Sequence, residues 1–89
     1  GEGALPSDIP EVAIPTAEVT DGKVPAARLL TLAGLVTSSS EARRSIQQGG
    51  AKWGEEKTKI TAHDEPIDIS EGLLLWVGKK RFCRVQIGD

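Results

Sequence analysis

The sequence predicts an α+β fold, in which a two-helix helix-turn-helix unit packs on a small, mostly antiparallel sheet of four to five short strands. Three observations predict it. Apolar residues recur at helical spacing only between Pro25 and Gly50, short extended runs with turn signals take over from Ala51, and the first 22 residues follow neither pattern. At 89 residues the chain is one small domain with a tail, too short for a catalytic scaffold of ordinary size and a second module. Its start at Gly rather than Met leads us to expect a piece of a larger protein.

Residues 1–22 carry Pro6, Pro10 and Pro15, which fix φ and push their predecessors toward extended geometry. They are expected to form an acidic, proline-rich linker lying along a surface or adding a short edge strand. Residues 23–89 form the domain. Ala26, Leu29, Leu30 and Ala33 stand at i, i+3, i+4 and i+7, with Pro25 suited to a first helical turn and Gly34 to the stop, so the first helix is expected at 25–34. Ser38 with Glu41 three residues on makes a capping box, and Gly49-Gly50 closes a second helix over 39–48. Its Ala42 and Ile46 turn to the core, leaving Arg43, Arg44, Gln47 and Gln48 on the other side. Short strands are expected at 51–53, 57–61 and 66–69, and stronger ones at 73–77 and 81–87 joined by Gly78-Lys79-Lys80. In the last strand Cys83, Val85 and Ile87 alternate with Phe82, Arg84 and Gln86, so one face is apolar and the other basic and partly aromatic.

The formal net charge of −2 argues against a polyanionic partner only until it is divided by position. Residues 1–27 hold five acids against Lys23, a net of −4, and the remainder holds ten bases against eight acids. The bases cluster: Arg43 and Arg44 are adjacent, Lys52 follows, and Lys79, Lys80, Arg81 and Arg84 fall within six residues. A surface field is set by charge within a Debye length of ~8–10 Å, so the local clusters matter more than the total. If the second helix packs beside the sheet, the two clusters merge into one groove for phosphates. Phe82 or Trp53 is available either to stack on an unpaired base or to fill the core.

Other chemistries find little support. His63 and Asp64 are neighbours in a polar stretch, where adjacent side chains seldom face each other, and no Ser or Cys has a partner base. One Cys and one His fall short of a four-ligand zinc site, and Cys83 alone can form no internal disulfide, which suits a reducing cytoplasm. No apolar run approaches the ~20 residues of a membrane span, so no membrane partner is expected.

Residues 34–52 run from Gly34-Leu35-Val36 through Ser38-Ser39-Ser40-Glu41-Ala42-Arg43-Arg44 and Ile46-Gln47-Gln48 to Gly49-Gly50-Ala51-Lys52. They resemble the helix-turn-helix core of the RNA-binding domain first seen in small-subunit ribosomal protein four, the alpha-L motif. Residues 77–85, Val77-Gly78-Lys79-Lys80-Arg81-Phe82-Cys83-Arg84-Val85, are similar to the strand that ends bacterial tyrosyl-tRNA synthetases. The proline-rich lead, Leu5 to Val12, resembles the linker of those enzymes. The chain departs from the pattern at Ser39, where many members carry a basic residue, and at Gly54-Glu55, where an asparagine-glycine turn is usual.

The resemblance implies that Arg43, Arg44, Gln47, Lys52, Lys79, Lys80, Arg81 and Arg84 contact RNA. It implies tyrosine tRNA as the partner, held between anticodon stem and long variable arm, and no DNA. ATP and magnesium would belong to a catalytic domain outside this chain, through which the parent enzyme would form a homodimer, the domain alone being a monomer without cofactor or catalysis. Two other readings stay open: a domain of this fold from a ribosome-associated or RNA-modifying protein, and a protein-interaction module using the apolar residues of 1–22.

Overall fold

A computed structural model describes residues 9–70, 72–78 and 81–88. The order of elements is β1 (Glu11–Ile14), a 3-10 turn at Thr16–Glu18, β2 (Lys23–Pro25), α1 (Ala26–Leu32), α2 (Ser39–Gln47), β3 (Ala51–Trp53), β4 (Thr58–Lys59), β5 (Pro66–Asp68), β6 (Leu73–Val77) and β7 (Arg81–Ile87). The main sheet has the order β1-β7-β6-β3-β4, antiparallel except for β1 beside β7, and β2 and β5 form a separate antiparallel pair. The expected α+β architecture is therefore present, with five strands in the main sheet.

Both helices end as their glycines direct. In α1 the Leu35 N–H donates to the Leu30 carbonyl and the Gly34 N–H to Thr31, with Gly34 at φ 77°. In α2 the Gly50 N–H donates to Ser45 and the Gly49 N–H to Ile46, with Gly49 at φ 75°. These are paired Schellman closures, which satisfy carbonyls that the helix leaves open and need a residue tolerant of left-handed geometry. The start of α2 is capped by Ser38 Oγ, which accepts from the Glu41 N–H at 3.2 Å. Glu41 reaches back one residue further than a capping box requires, accepting from the Thr37 N–H at 3.1 Å.

The first helix is shorter than 25–34 because Pro25, at ψ 139°, is extended and belongs to β2, opposite Pro66. With no side-chain cap, α1 is capped from a distance: the Ala26 and Ala27 N–H groups donate to the carbonyls of Glu65 and His63. The loop around His63 thus has a structural task, and the His63 side chain is exposed. The strand expected at 57–61 shrinks to Thr58–Lys59 because Lys57, at φ 56°, still belongs to the turn.

Within the stretch expected as linker, Glu11–Ile14 runs along β7 as an edge strand, and Ile14 is fully buried. The core lies between the helices and one face of the main sheet: Leu29, Leu30, Ala42 and Ile46 meet Ile14, Leu75, Cys83 and Val85. Trp53 packs against this core, on the same face as Leu75 by register. Burial pushes the Cys83 thiol up to about 11, so it behaves as a small apolar side chain.

Candidate nucleic-acid interface

The capped start and glycine stop fix the ends of α2, and its apolar stripe, packed on the core, fixes which side meets solvent. Ala42 and Ile46 are buried, while Arg43, Arg44, Gln47 and Gln48 are exposed. The side chains of Arg43 and Arg44 make no hydrogen bond or ion pair with any described residue. Two unpaired guanidiniums and two amides on adjoining turns offer forked donors to anionic oxygens.

Arg81 is differently placed. Opposite Val77 in the ladder, it turns to the helical side, where its Nη1 donates to the Leu35 carbonyl at 3.0 Å and lies 3.4 Å from Glu41 Oε1. It thus ties the turn between the helices to the start of β7. Its side chain remains 59% exposed, so part of its charge faces solvent beside α2. An open cleft of about 490 Å³ lies here, between the turn at residues 34–37, Pro10 and the start of β7.

Lys52 and Arg84 stand on the other face of the sheet. Register joins Lys59, Lys52, Trp76 and Phe82 in one row across β4, β3, β6 and β7, and Glu11, Arg84 and Leu74 in the next row along β1, β7 and β6. Trp76 and Phe82 are in ring contact, centroids 5.6 Å apart and planes 32° apart. Lys57 Nζ sits 4.6 Å from the Trp76 centroid, a cation–π contact, and Trp76 Nε1 donates to the Gly54 carbonyl at 2.8 Å. Phe82 is therefore a surface-side aromatic and Trp53 a core-side one.

The expected single groove is corrected by this geometry. The helices pack over the Cys83 and Val85 face, so Arg43, Arg44, Gln47 and Arg81 lie on the helical side while Lys52 and Arg84 lie on the far face. Lys79 and Lys80 fall outside the described residues. Lys57, Lys59 and Trp76 are not among the residues that sequence reasoning singles out. Only the two-residue spacing of Lys57 and Lys59 could have flagged them, and the row with Trp76 depends on pairing between distant strands.

Among the described residues no three His, Cys, Asp or Glu side chains are grouped to hold a metal, and no helix is long and apolar enough to cross a membrane. An unpaired cationic helix and a basic, aromatic sheet face define a module suited to holding a polyanion. Comparison with known proteins then gives the particular relatives. The chain is 42% identical over 86 residues to the tyrosine–tRNA ligase of Colwellia psychrerythraea, covering 97% of this chain and 20% of that protein. It is 43% identical to the ligase of Geobacter sulfurreducens, covering 94% and 20%, and 36% identical to that of Bordetella pertussis, covering 97% and 19%. The chain thus spans about a fifth of the length of the curated relatives it matches. No family model matches it.

Proposed function

We propose that this chain is the C-terminal tRNA-binding domain of a bacterial tyrosine–tRNA ligase, residues 1–22 leading into it from the parent enzyme, and that it holds tyrosine tRNA by backbone and shape contacts at the anticodon stem and long variable arm. The observation that carries this is the solvent side of α2, where Arg43 and Arg44 stand exposed without partners among the described residues. Two such cations on a rigid, doubly capped helix serve phosphates at low ordering cost, since they need not leave another carboxylate first. Similarity to tyrosine–tRNA ligases over nearly the whole chain supports the same reading.

In this reading Gln47 reaches ribose or phosphate oxygens beside Arg43, and Lys79 and Lys80 add charge between the last two strands. ATP, magnesium, the joining of tyrosine to tRNA and the dimer contact are assigned to the rest of the parent, a cytoplasmic homodimer, while the domain by itself is a monomer. Binding of tyrosine tRNA to this chain, titrated against salt, tests it. Affinity is expected to fall linearly on a logarithmic salt scale, and Arg43→Ala or Arg44→Ala to flatten the slope by about one unit each. Affinity that ignores salt, or that favours an unrelated duplex RNA over tyrosine tRNA, overturns it.

A further inference from the structure

The far face of the sheet has a composition that packing alone does not call for. Leu74 is only 4% exposed, yet it lies outside the main core, beneath the side chains of its own face. Around it stand Trp76 and Phe82 on the two adjoining strands β6 and β7, Lys52 and Lys59 in the same row, Lys57 over the Trp76 ring and Arg84 in the next row. The row from Lys59 to Phe82 crosses three strand spacings, about 14 Å. In this patch the register places one acid, Glu11, at the β1 edge beside Arg84, and Glu55 and Glu56 lie exposed in the turn before β4. Among the described residues cations therefore outnumber acids around the ring pair.

We propose that this face is a second RNA-contact surface, on which an unpaired base of the bound RNA stacks against the Trp76–Phe82 pair while its neighbouring phosphates lie on Lys52 and Lys59 to one side and Arg84 to the other. This deepens the tRNA-binding reading and rests on it. Aromatic rings on adjacent strands ringed by Lys and Arg serve single-stranded nucleic acid because every base has a π-face and every linkage a charge. A duplex hides its bases, so the helical side and this face take different parts of one RNA. They are also neighbours: Lys59 Nζ lies 3.4 Å from where a Cβ on Gly49 would stand, at the exit of α2. A strand leaving the α2 side thus meets Lys59 first and the rings beyond it.

The test uses the intact 89-residue chain with two probes, a six-nucleotide oligoadenylate and tyrosine tRNA. The readouts are tryptophan fluorescence and the two indole N–H resonances. The oligonucleotide is expected to quench fluorescence and move the Trp76 indole signal while leaving that of Trp53 in place. Phe82→Leu is expected to weaken oligonucleotide binding about five- to tenfold and Lys52→Ala to lower its salt slope. Trp76→Phe, which keeps a ring, should retain binding within about threefold, and its amide spectrum checks that the sheet still forms. Arg43→Ala should weaken tRNA and leave the oligonucleotide within about twofold. If the chain binds tRNA with the expected salt dependence while the Trp76 signal ignores the oligonucleotide, or if Phe82→Leu leaves both affinities unchanged, this surface is refuted and the tRNA reading survives. If neither RNA binds, both fall together.

Discussion

The two cationic surfaces differ in how they are built. On the helical side Arg43 and Arg44 lie on one nine-residue helix whose caps all fall between Thr37 and Gly50. Their placement follows from a single local periodicity. On the far face Lys59, Lys52, Trp76 and Phe82 come from four strands and meet only because three ladders hold register. A one-residue slip in any ladder would send its side chains to the opposite face. The arrangement of Arg43 and Arg44 therefore does not depend on register between distant strands, whereas a surface made by cross-strand rows is lost with that register; both rest on the same core, since a nine-residue helix needs its packed face to persist.

The most damaging test of that contrast removes the shared support. Leu75 is fully buried at the centre of the main sheet, and Leu75→Ala is expected to cost about 2–5 kcal/mol, enough to unfold much of a small domain and abolish both surfaces. Leu74→Ala, one residue away on the other face, should fall at the low end of that range and disturb the Trp76 indole signal more than tRNA binding. Chemical denaturation of the two variants, read by amide and tryptophan signals, checks the pair. Gly34→Ala targets the helical side. No described atom lies within 4 Å of the added methyl, so the cost is the left-handed backbone at φ 77°, about 1–2 kcal/mol. The far-face ring contact should persist in that variant.

What the sequence disclosed follows the same division. Ser38, Glu41, Gly34 and Gly49 act on neighbours, so both helices could be read from spacing, and alternation in 81–87 put Cys83 and Val85 inward and Phe82 and Arg84 outward. Pairing across long separations could not be read. The prolines of 1–22 signal extended chain, but only contact with β7, some seventy residues away, makes Glu11–Ile14 a parallel edge strand with a buried Ile14. Trp53 could not be sorted from Phe82 without the ladder that sets Trp53 opposite Leu75. The single groove is misread for the same reason: the sequence shows that Lys52 and Arg84 are basic, but only the ladders put them behind the sheet.

A pH titration sharpens the role of the core. The Cys83 thiol is raised from 9.0 to about 11 by burial, so across that window the folded chain holds a proton that the unfolded chain has released. Stability then falls as pH rises, because the state binding more protons is the native one. The contribution is intact below about pH 9 and lost between about 9 and 11. Cys83→Ala should remove that alkaline loss, as thermal melts at pH 8 and 10 would reveal. A steady thiol reagent rate equal to that of unfolded chain at pH 8 would contradict the burial.

The smallest expected effect asks whether Arg81 belongs to the helical surface as a contact or only as a brace. Its Nη1 has the Leu35 carbonyl at 3.0 Å and Glu41 Oε1 at 3.4 Å, and both ion-pair partners are substantially exposed, at 59% and 39%. A pair this open contributes about 0–1 kcal/mol, so Glu41→Gln, which keeps an acceptor for the Thr37 N–H, should change stability by less than about 1 kcal/mol. It removes the carboxylate competing for Arg81, however, and tRNA affinity is expected to rise about twofold at low salt, an effect that salt screens away. Arg81→Ala should instead flatten the salt slope by about one unit. A pure brace gives a different signature: Arg81→Ala lowers the melting temperature with the slope intact, and Glu41→Gln leaves affinity where it was. Because the two variants move charge in opposite directions around one guanidinium, their opposite effects on binding would place Arg81 on the RNA side of the turn that it also holds together.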